Sequence, residues 1–600
     1  MSKRNILISC LAVSGLWSQA FGASYYVSSA GSDSNDGLST ATPWKTIAKV
    51  NAKTFVSGDQ ILFRSGDDFS GQINLNQAGL TVGVYGTGAK PIISGSEHLT
   101  GWTAYGSFFV AQASARVKNL FANGVQMTMA RFPNSGFLTV TSISGATTLT
   151  SSGITQASGF WNGANFRVRS SDFTFDTETV ASQSGTTLNL SGAPTYANKV
   201  GWGFYLDNAL AALDAPGEWY CDPATNKVYF WAPGGVNPGT LTVDASTLDY
   251  GVNSAQSNIT VQGLEFRYQA TTGVRFSGSV SNVKVLSNTV FGSLMSGIQF
   301  SGAASCTVDG NTVQDTCGRG IDFASSASNS TVSNNIVKNI GLVEGYGYSG
   351  GDGMTGIYVA GGNTNRISGN IVERIGYNGI RGDGRYNIIE NNVVDYPMMR
   401  LIDGGGIYTF NWNHTEMSFG STIRNNTVSN VFGGMGGEPA SAVWRQSHGI
   451  YLDFASHDMI VTSNTISHVD SDCFFMQYDD YKNTFTYNTL FDCGKGAGGY
   501  GIFMEQHPSS GYYGQHTIKY NRFLSASSTQ QYLIRVVDDG SGTQPASLGT
   551  FDYNYYANPY GKTSQFMVGI GGSYNYYSLA QWQAAMGQDA HSSATDTAPS

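Results

Sequence analysis

The feature that most constrains the fold is a short repeat in which an Asn precedes an apolar or aromatic residue by two positions. The repeat occurs ten times, at Asn288, Asn311, Asn335, Asn370, Asn392, Asn426, Asn464, Asn488, Asn521 and Asn554. The shortest spacings are about 22 to 24 residues, and longer spacings indicate insertions, which in such repeats form loops on one face, often the binding face. We predict that the Asn residues stack as a hydrogen-bonded ladder at a turn.

A second short strand in most repeats begins with Gly-Ile, as in "GIQF" at Gly297, "GIYT" at Gly406 and "GIYLD" at Gly449. Several short strands per repeat, stacked repeat on repeat, predict an all-β fold of the parallel β-helix type. Side chains alternate along a strand, so the first and third residues after the Gly point inward and the second and fourth point outward. The inward residues are almost all apolar, and include Ile298, Phe300, Ile407, Ile450, Leu452, Phe474, Met476, Ile502 and Met504.

Composition agrees with this fold. Charged residues make up 12% of the 600 residues and there are 76 glycines, which is typical of an all-β protein with many tight turns. The net charge of −9 disfavours nucleic acid or an anionic membrane as a partner. No stretch after the N-terminus has the roughly 18 unbroken apolar residues of a spanning helix. We expect no membrane partner and a monomer.

The N-terminus has the layout of a secretory signal peptide over residues 1–22. Lys3 and Arg4 precede an apolar run, and the small residues Ala20 and Gly22 follow it. We therefore expect a secreted or periplasmic protein.

The remainder divides into four predicted regions. Residues 23–98 form an N-terminal cap and the first coils, and residues 99–250, which lack the repeat and alternate short strands with turns, form an inserted β-rich, sandwich-like domain. Residues 251–572 form the catalytic β-helix. Residues 573–600 form a C-terminal cap, because "SLAQWQAAMGQ" has helical apolar spacing.

Five cysteines remain after the signal peptide. Bridges between Cys306 and Cys317 and between Cys473 and Cys493 are both open, and Cys221 is left over. The chain has no CxxC pair and no His/Cys cluster with zinc spacing, so we predict no structural metal site.

Four carboxylates are candidates for catalysis. Asp383, Asp453 and Glu505 share the outward fourth-position column, and Asp403 in "RLIDGGGIYT" belongs to the coil directly beneath Asp453. Two carboxyl groups across a sugar ring can cleave a glycosidic bond, one as acid and one as base or nucleophile. Coils stack about 4.8 Å apart, so column neighbours two coils apart lie about 9.6 Å apart. Asp453 can therefore pair with Glu505, Asp383 or Asp403, although an Asp before three glycines also suits a simple turn.

Aromatic and basic residues near these acids are candidates for substrate binding. Flat aromatic rings suit the apolar faces of sugars, although outward aromatics also stabilise a sheet by pairing with each other. The aromatic candidates are Tyr408, Trp412, Trp444, Tyr451 and Tyr478. Arg381 beside Asp383 suits a sugar hydroxyl or carboxylate, or a plain surface ion pair. The histidine candidates are His414, His448 and His507.

In these features the chain resembles the secreted right-handed parallel β-helix carbohydrate-active enzymes, and most of all glycoside hydrolase family 141. The resemblance rests on "IDGGGIYT" at 402–409, "GIYLD" at 449–453, "LDAPGEWY" at 213–220 and the "SLAQWQAAMGQD" ending. It implies a right-handed helix, fucosidase or xylanase activity, and a pair of aspartates for the acid and base work. Those aspartates match Asp403 and Asp453. The turn after Asp453 and the insertion "GGMGGEPASAVWRQS" depart from the family pattern.

The leading hypothesis is a glycoside hydrolase acting on a polysaccharide, such as a xylan-like, fucosylated or pectic glycan, without a required cofactor. The first alternative is a polysaccharide lyase or uronate epimerase, which needs a base and a cation such as Ca²⁺ or an arginine near the uronate. Arginines open to that role are Arg381, Arg385, Arg400 and Arg445. The second alternative is a non-catalytic carbohydrate-binding β-helix, because a fold alone never establishes function.

Overall fold

The computed structural model describes residues 22–411, 418–442, 445–495, 499–506, 514–526, 532–538, 549–560, 564–570 and 572–596. Four of the predicted substrate-binding residues lie outside these described residues: Trp412, His414, Trp444 and His507. The predicted signal peptide also lies outside them, except for Gly22.

Three long sheets run through the described part of the chain, and each has 14 strands. The strands pair in parallel, one coil on the next, except that Phe566–Ile570 and Ser573–Tyr577 pair antiparallel at the C-terminal end. The predicted all-β, parallel β-helix architecture is therefore confirmed.

The site sheet, which carries the Gly-Ile strands, lies on one side of the coil. Its strands are Ile73–Leu75, Tyr250–Ser254, Thr272–Ser281, Ser296–Ala304, Arg319–Phe323, Ile357–Val359, Ile380–Gly382, Gly404–Phe410, Ser447–Asp453, Phe474–Gln477, Tyr500–Gln506, Tyr532–Asp538, Phe566–Ile570 and Ser573–Tyr577.

The second sheet follows the turn after the site sheet. Its strands are Ser24–Val27, Gln60–Arg64, Thr81–Tyr85, Thr260–Gln262, Lys284–Leu286, Thr307–Asp309, Thr331–Ser333, Arg366–Ser368, Ile388–Glu390, Thr422–Arg424, Ile460–Thr462, Thr484–Thr486, His516–Lys519 and Gly549–Asp552.

The third sheet closes each coil. Its strands are Asp68–Ser70, Ile92–Ser94, Glu265–Arg267, Thr289–Phe291, Thr312–Gln314, Ile336–Ile340, Ile371–Ile375, Val393–Asp395, Thr427–Val431, Thr465–Val469, Thr489–Cys493, Arg522–Leu524, Tyr555–Ala557 and Ser593–Thr595.

The predicted asparagine ladder forms at the turn between the second and third sheets. The backbone N–H of Asn288 donates to Oδ1 of Asn311 at 2.9 Å, and the same bond recurs from coil to coil up to Asn554. There the N–H of Asn554 donates to Ser592 Oγ instead. Each buried amide is thus hydrogen-bonded within the stack, as buried polar groups must be.

The Gly of each Gly-Ile pair lies within or directly before a strand of the site sheet, at a position where no side chain fits. A Cβ atom on Gly449 would lie 2.3 Å from Ile466 Cγ2 and 2.5 Å from the Cys473 carbonyl oxygen. The Ile that follows points into the core, and Ile407 and Ile450 are fully buried there. The predicted inward rows therefore form the core, and the alternation turns the intervening side chains outward.

The chain between Ile92–Ser94 and Tyr250–Ser254 leaves the coil and forms smaller sheets. One has Val125–Gln126, Asn119–Ala122, Val243–Ser246 and Ser96–His98, and a second has Thr128–Met129, Glu218–Cys221, Lys227–Phe230, Phe108–Gln112 and Thr103–Tyr105. The third has Arg131–Phe132, Gly203–Asp207, Asn165–Ser171, Thr174–Ser184, Thr187–Leu190, Thr148–Thr150 and Ser142–Ser144, joined at its sides by Leu138–Thr139 and by Gly350–Gly351 from the coil. This β-rich region has hydrophobic clusters of its own.

Helices are short and few in the described residues. Helix α1 spans Ile47–Ala52 near the N-terminal end of the coil. Helix α2 spans Leu579–Met586, begins with a capping box at Ser578 and buries Trp582, as the apolar spacing predicts. The 3₁₀ turns are Leu210–Ala212, Pro233–Gly235 and Pro238–Thr240. Among the described residues, none of the helices has the length and the run of apolar residues that a membrane-spanning helix needs.

Of the two disulfides that the sequence leaves open, one is formed and the other is not. Cys473 and Cys493 form a disulfide between neighbouring elements of one coil. Cys306 and Cys317 are both buried free thiols, so that bridge is not formed, and Cys221 is free as well.

Candidate active site

The outward row of the site sheet places polar and aromatic side chains in one line, coil above coil. Strand register aligns Tyr358 with Arg381, Arg381 with Tyr408, and Tyr408 with Tyr451. Farther along, Tyr408, Tyr451, Phe475, Phe503 and Met567 of this row join Tyr500 and Val537 in a hydrophobic cluster separate from the core. The predicted outward row is thus present, and much of it is covered rather than exposed.

A cavity of about 460 Å³ opens on this outer face. Its walls come from the site sheet, from the loops that precede its strands, and from the inserted region. The lining residues are Phe173, Tyr196, Gly351, Asp352, Tyr377, Arg381, Asp403, Tyr408, Phe410, Asp453, Phe454 and Gln477. Asp403 and Asp453, one of the predicted pairs, meet in this cavity.

Asp453 is the last residue of Ser447–Asp453 and lies in register with Phe410 of the coil beneath. Its Oδ2 accepts a hydrogen bond of 2.5 Å from the Tyr408 hydroxyl, and its Oδ1 has no hydrogen-bond partner among the described residues. Burial raises the pKa of Asp453 to about 7, whereas the hydroxyls of Tyr408 and Tyr451 and the charge of Arg381 lower it. Asp453 thus combines one oxygen held by Tyr408 with one buried oxygen that has no partner among the described residues, in a side chain that lines the cavity.

Asp403 directly precedes the strand Gly404–Phe410, and hydrogen bonds of its backbone fix its position. Its φ is +59°, its N–H donates to the Gln446 carbonyl oxygen at 2.5 Å, and its own carbonyl oxygen accepts from the Tyr377 hydroxyl at 2.6 Å. The following glycine, Gly404, lets the strand start at once. Burial, together with the negative charge of Asp453, raises the pKa of Asp403 to about 7. The charge of His448 acts in the opposite direction.

Because each carboxyl group raises the cost of ionising the other, Asp403 and Asp453 titrate as a pair. Near neutral pH the pair can hold one proton, which provides one carboxylic acid and one carboxylate. That combination suits a reaction that needs an acid and a base at once.

Asp383 lies where the sequence predicts, but both of its carboxylate oxygens are hydrogen-bonded within the protein. It belongs to the column of Asp453, but its Oδ2 is bound to Arg381 Nε at 2.7 Å and its Oδ1 accepts from the Phe410 N–H at 2.9 Å. Arg381 also binds Asp352 across the cavity. Both oxygens of Asp383 are therefore engaged in holding the arginine and the next strand, which leaves Asp383 a supporting position.

Glu505 shares the predicted column but not the cavity. Its partner in register is Gln477, which lines the cavity and stands between Glu505 and Asp453. Glu505 is two coils from Asp453, as the column predicts, but it is not among the residues that line the cavity. Tyr478 follows the strand and packs on Phe454 with ring centroids 5.3 Å apart, behind the cavity wall.

Tyr451 and His448 are buried and are not among the residues that line the cavity. The Tyr451 hydroxyl donates to Gln477 Oε1. His448 has no exposed surface; its Nδ1 is 3.0 Å from Asp472 Oδ2 and its ring is 4.5 Å from that of Phe475. This burial argues for an indirect role of His448 instead of the predicted contact with substrate.

Several lining residues escape sequence reasoning. Asp352 lies in "GDGMTG", a Gly-rich segment before a Gly-Ile strand that is similar to the segment carrying Asp403, and this similarity is the signal that could have found it. Phe173 and Tyr196 come from the inserted region, where no repeat exists to align them. Their rings pack edge to face, 5.0 Å apart.

The charge of the lining is acidic. Among the described residues it includes Asp352, Asp403 and Asp453 against one cation, Arg381, which is already paired with two carboxylates. The described part of the chain contains no group of three or more His, Cys, Asp or Glu arranged to hold a metal ion.

Comparison with known families gives two matches. The family model described as "Right handed beta helix region" matches residues 239–394 and 355–546, which together span more than half of the chain. The model described as "GH141 insertion domain" matches residues 149–233, within the inserted region. The right-handed β-helix with an insertion, and the resemblance to glycoside hydrolase family 141, are thereby confirmed.

Comparison with solved structures agrees on the fold. A structure titled "Glycoside hydrolase" matches with a TM-score of 0.53 at 13% identity, over 81% of this chain and 97% of that one. The xylose complex of XylC matches with a TM-score of 0.46 at 12% identity, over 91% and 86%. A GH136 lacto-N-biosidase from Eubacterium ramulus has a TM-score of 0.32 at 12% identity, over 95% and 68%. No curated protein sequence matches the chain.

Proposed function

This chain belongs to the right-handed β-helix family, and from that premise we propose that it is a secreted glycoside hydrolase in which Asp403 and Asp453 cleave a glycosidic bond of a polysaccharide. The observation that carries the proposal is the meeting of these two carboxyl groups in one cavity. Burial raises the pKa of each to about 7. The match of the inserted region to the GH141 insertion domain supports the same class of reaction.

The reaction needs one protonated and one ionised carboxyl group. The protonated member donates its proton to the glycosidic oxygen, so that the leaving sugar departs as an alcohol. The ionised member either attacks the anomeric carbon or takes a proton from the water that attacks it. The Tyr408 hydroxyl, bound to Asp453 Oδ2, holds that carboxyl group in one orientation at the cavity wall.

The walls of the cavity suit a neutral sugar. Aromatic rings on two sides, Phe173 and Tyr196 from the inserted region and Phe410 and Phe454 from the coil, offer apolar faces for stacking against sugar rings. A uronate would bring another negative charge beside Asp352, Asp403 and Asp453. Arg381 is the cation of the described lining, and its two carboxylate partners leave little charge to neutralise a uronate.

The lyase or epimerase alternative is therefore less well supported than hydrolysis. Lyase and epimerase chemistry removes a proton next to a uronate carboxylate, which must be neutralised by a cation. The acidic lining can neutralise a uronate carboxylate only if a metal ion such as Ca²⁺ is added. Within the proposed range of xylan-like, fucosylated and pectic glycans, the neutral sugar units are the ones that this lining suits.

The test is incubation with a panel of neutral and uronate-containing polysaccharides while reducing ends and unsaturated products are measured together. We expect new reducing ends without unsaturation, and at least about 100-fold less activity in Asp403→Asn and Asp453→Asn. Asp458→Asn serves as the matched control, because Asp458 is exposed on the same coil as Asp453. Unsaturated products would replace this proposal with the lyase, and no turnover on any glycan would favour a binding protein.

A further inference from the structure

Arg169 of the inserted region is buried at the boundary with the coil. It belongs to Asn165–Ser171 and has no exposed surface. Its guanidinium donates to the carbonyl oxygens of Gly434 at 2.7 Å, Gly436 at 2.9 Å and Arg400 at 3.3 Å. A further N–H donates to the Asp172 carbonyl oxygen at 2.7 Å. One side chain thus ties three stretches of chain together.

These stretches surround the segment that leads into Asp403. The Asp172 carbonyl oxygen, held by Arg169, accepts from the Ile402 N–H at 3.1 Å. The Gly434 N–H donates to the Leu401 carbonyl oxygen at 3.3 Å, and a Cβ on Gly434 would lie 2.4 Å from Arg400 Cα, so the two backbones are in close contact. Residues 400, 401 and 402 are therefore each bonded to Arg169 or to a group that Arg169 binds.

The charge of Arg169 is compensated within the same boundary. Its Nε is 2.7 Å from Glu438 Oε1. Burial lowers the pKa of Arg169 to about 10, so the guanidinium stays charged at neutral pH. A buried cation with one carboxylate and several carbonyl partners is costly to assemble, and its rigid planar fork fixes the mutual positions of those partners.

We infer that Arg169 is a positioning residue, through which the inserted domain holds Asp403 in the geometry needed for glycoside hydrolysis. The inference rests on the proposed function. It makes the inserted domain part of the active site instead of a separate binding module. In agreement with this, the hairpin turn after Asn165–Ser171 carries Phe173 into the cavity wall.

Arg167 provides a matched control in the same strand. It is also buried and also bridges the inserted region to the coil, but its bonds go to Asp207 at 2.5 Å and to the Gly345 carbonyl oxygen. Loss of either arginine removes a buried ion pair and should lower the melting temperature by a similar amount. Only the loss of Arg169 releases the segment before Asp403.

The experiment compares Arg169→Met, Arg169→Lys and Arg167→Met by amide hydrogen exchange of the 398–410 segment and by steady-state kinetics. We expect Arg169→Met to speed exchange at residues 400–403 and to lower kcat about 100-fold with KM changed less than about threefold. Arg169→Lys, which keeps the charge and some donors, should recover part of both. Arg167→Met should leave both close to wild type.

Two results would overturn the inference: unchanged exchange at residues 400–403 in Arg169→Met, or equal losses of kcat in Arg169→Met and Arg167→Met. If Arg169→Met does not fold, Arg169→Lys and Glu438→Gln are compared with Arg167→Lys by the same criteria. Asp403→Asn separates the two proposals. If it keeps full activity, the catalytic pair is wrong, and the exchange data still decide whether Arg169 positions the segment.

Discussion

The Tyr408 hydroxyl donates to Oδ2 of Asp453 at 2.5 Å from the strand directly beneath it. A hydrogen bond to the ionised form favours that form, so Tyr408 opposes the effect of burial on Asp453. The pKa of the pair therefore depends on a residue that lies in the outward row of the neighbouring coil.

Tyr408→Phe should raise the pKa of Asp453 further above its usual range, because the hydroxyl that favours the carboxylate is lost. We expect one limb of the kcat/KM profile to move to higher pH by about one unit. Movement of the alkaline limb makes Asp453 the acid, and movement of the acidic limb makes it the base or nucleophile. Tyr358→Phe, two coils below Tyr408, is the control. A profile with neither limb displaced contradicts the prediction.

Asp453→Asn should lower activity, but relative to wild type it should make the protein more stable at pH 8 than at pH 4. The folded-state pKa of Asp453 is raised to about 7 from an ordinary 3.8, so the folded protein keeps a proton that the unfolded chain releases. The wild type therefore loses stability as pH rises from about 4 to about 7, and the loss is complete above that. Asn has no such penalty.

Thermal unfolding at pH 4 and pH 8 checks this prediction. The melting temperature of Asp453→Asn, measured relative to wild type, should be higher at pH 8 than at pH 4. Asp214→Asn, at an exposed aspartate whose carboxylate accepts from the uncharged Asn134 amide, should show no such difference. The same difference at both pH values would mean that Asp453 is not held with a raised pKa.

Arg381→Met should destabilise the protein by about 3–5 kcal/mol, because it leaves the buried Asp383 without its cation and removes the partner of the partly exposed Asp352. Adding Asp383→Asn to Arg381→Met should recover part of the loss, since it removes one of the unpaired charges. Denaturant unfolding monitored by tryptophan fluorescence measures both. Full additivity of the two substitutions would argue against the pair.

Tyr196→Ala should weaken substrate binding without affecting the fold. Tyr196 is 39% exposed at the rim of the cavity, so its loss costs little stability, whereas a lost stacking surface should raise KM about fivefold. Tyr487→Ala, at a residue that is 60% exposed and outside the cavity lining, is the control. An unchanged KM in Tyr196→Ala would remove the inserted region from the binding surface.

Loss of the Cys473–Cys493 bridge should lower stability by about 2–4 kcal/mol, because it releases a loop of 20 residues in the unfolded chain. The double variant Cys473→Ala/Cys493→Ala tests this by thermal unfolding. Wild type treated with a reductant should unfold at the same lower temperature as the variant. The double variant itself should not respond to the reductant, whereas Cys306→Ala, which removes a buried free thiol and keeps the bridge, should respond as wild type does.

The fold could be predicted because its signals are local. The coils repeat an Asn at one turn and a Gly within or directly before the site-sheet strand. The two-residue alternation along that strand then separates inward from outward side chains. The same alternation places Asp383, Asp453 and Glu505 in one column, and the register between strands agrees. What alternation cannot tell is which of these acids is already bound to a cation and which still faces a cavity.

The sequence by itself determined the parallel β-helix, the asparagine ladder, the outward row and the pairing of Asp403 with Asp453 as one of several possibilities. Only the tertiary structure decided that Asp383 is engaged by Arg381, that Glu505 stands outside the cavity, and that Asp352, Phe173 and Tyr196 belong to it. The physical reason is that periodic stacking depends on neighbours within a coil, whereas the cavity is assembled from loops and an inserted region hundreds of residues apart. Their contacts follow from packing and charge pairing, for which no repeat in the sequence provides a register.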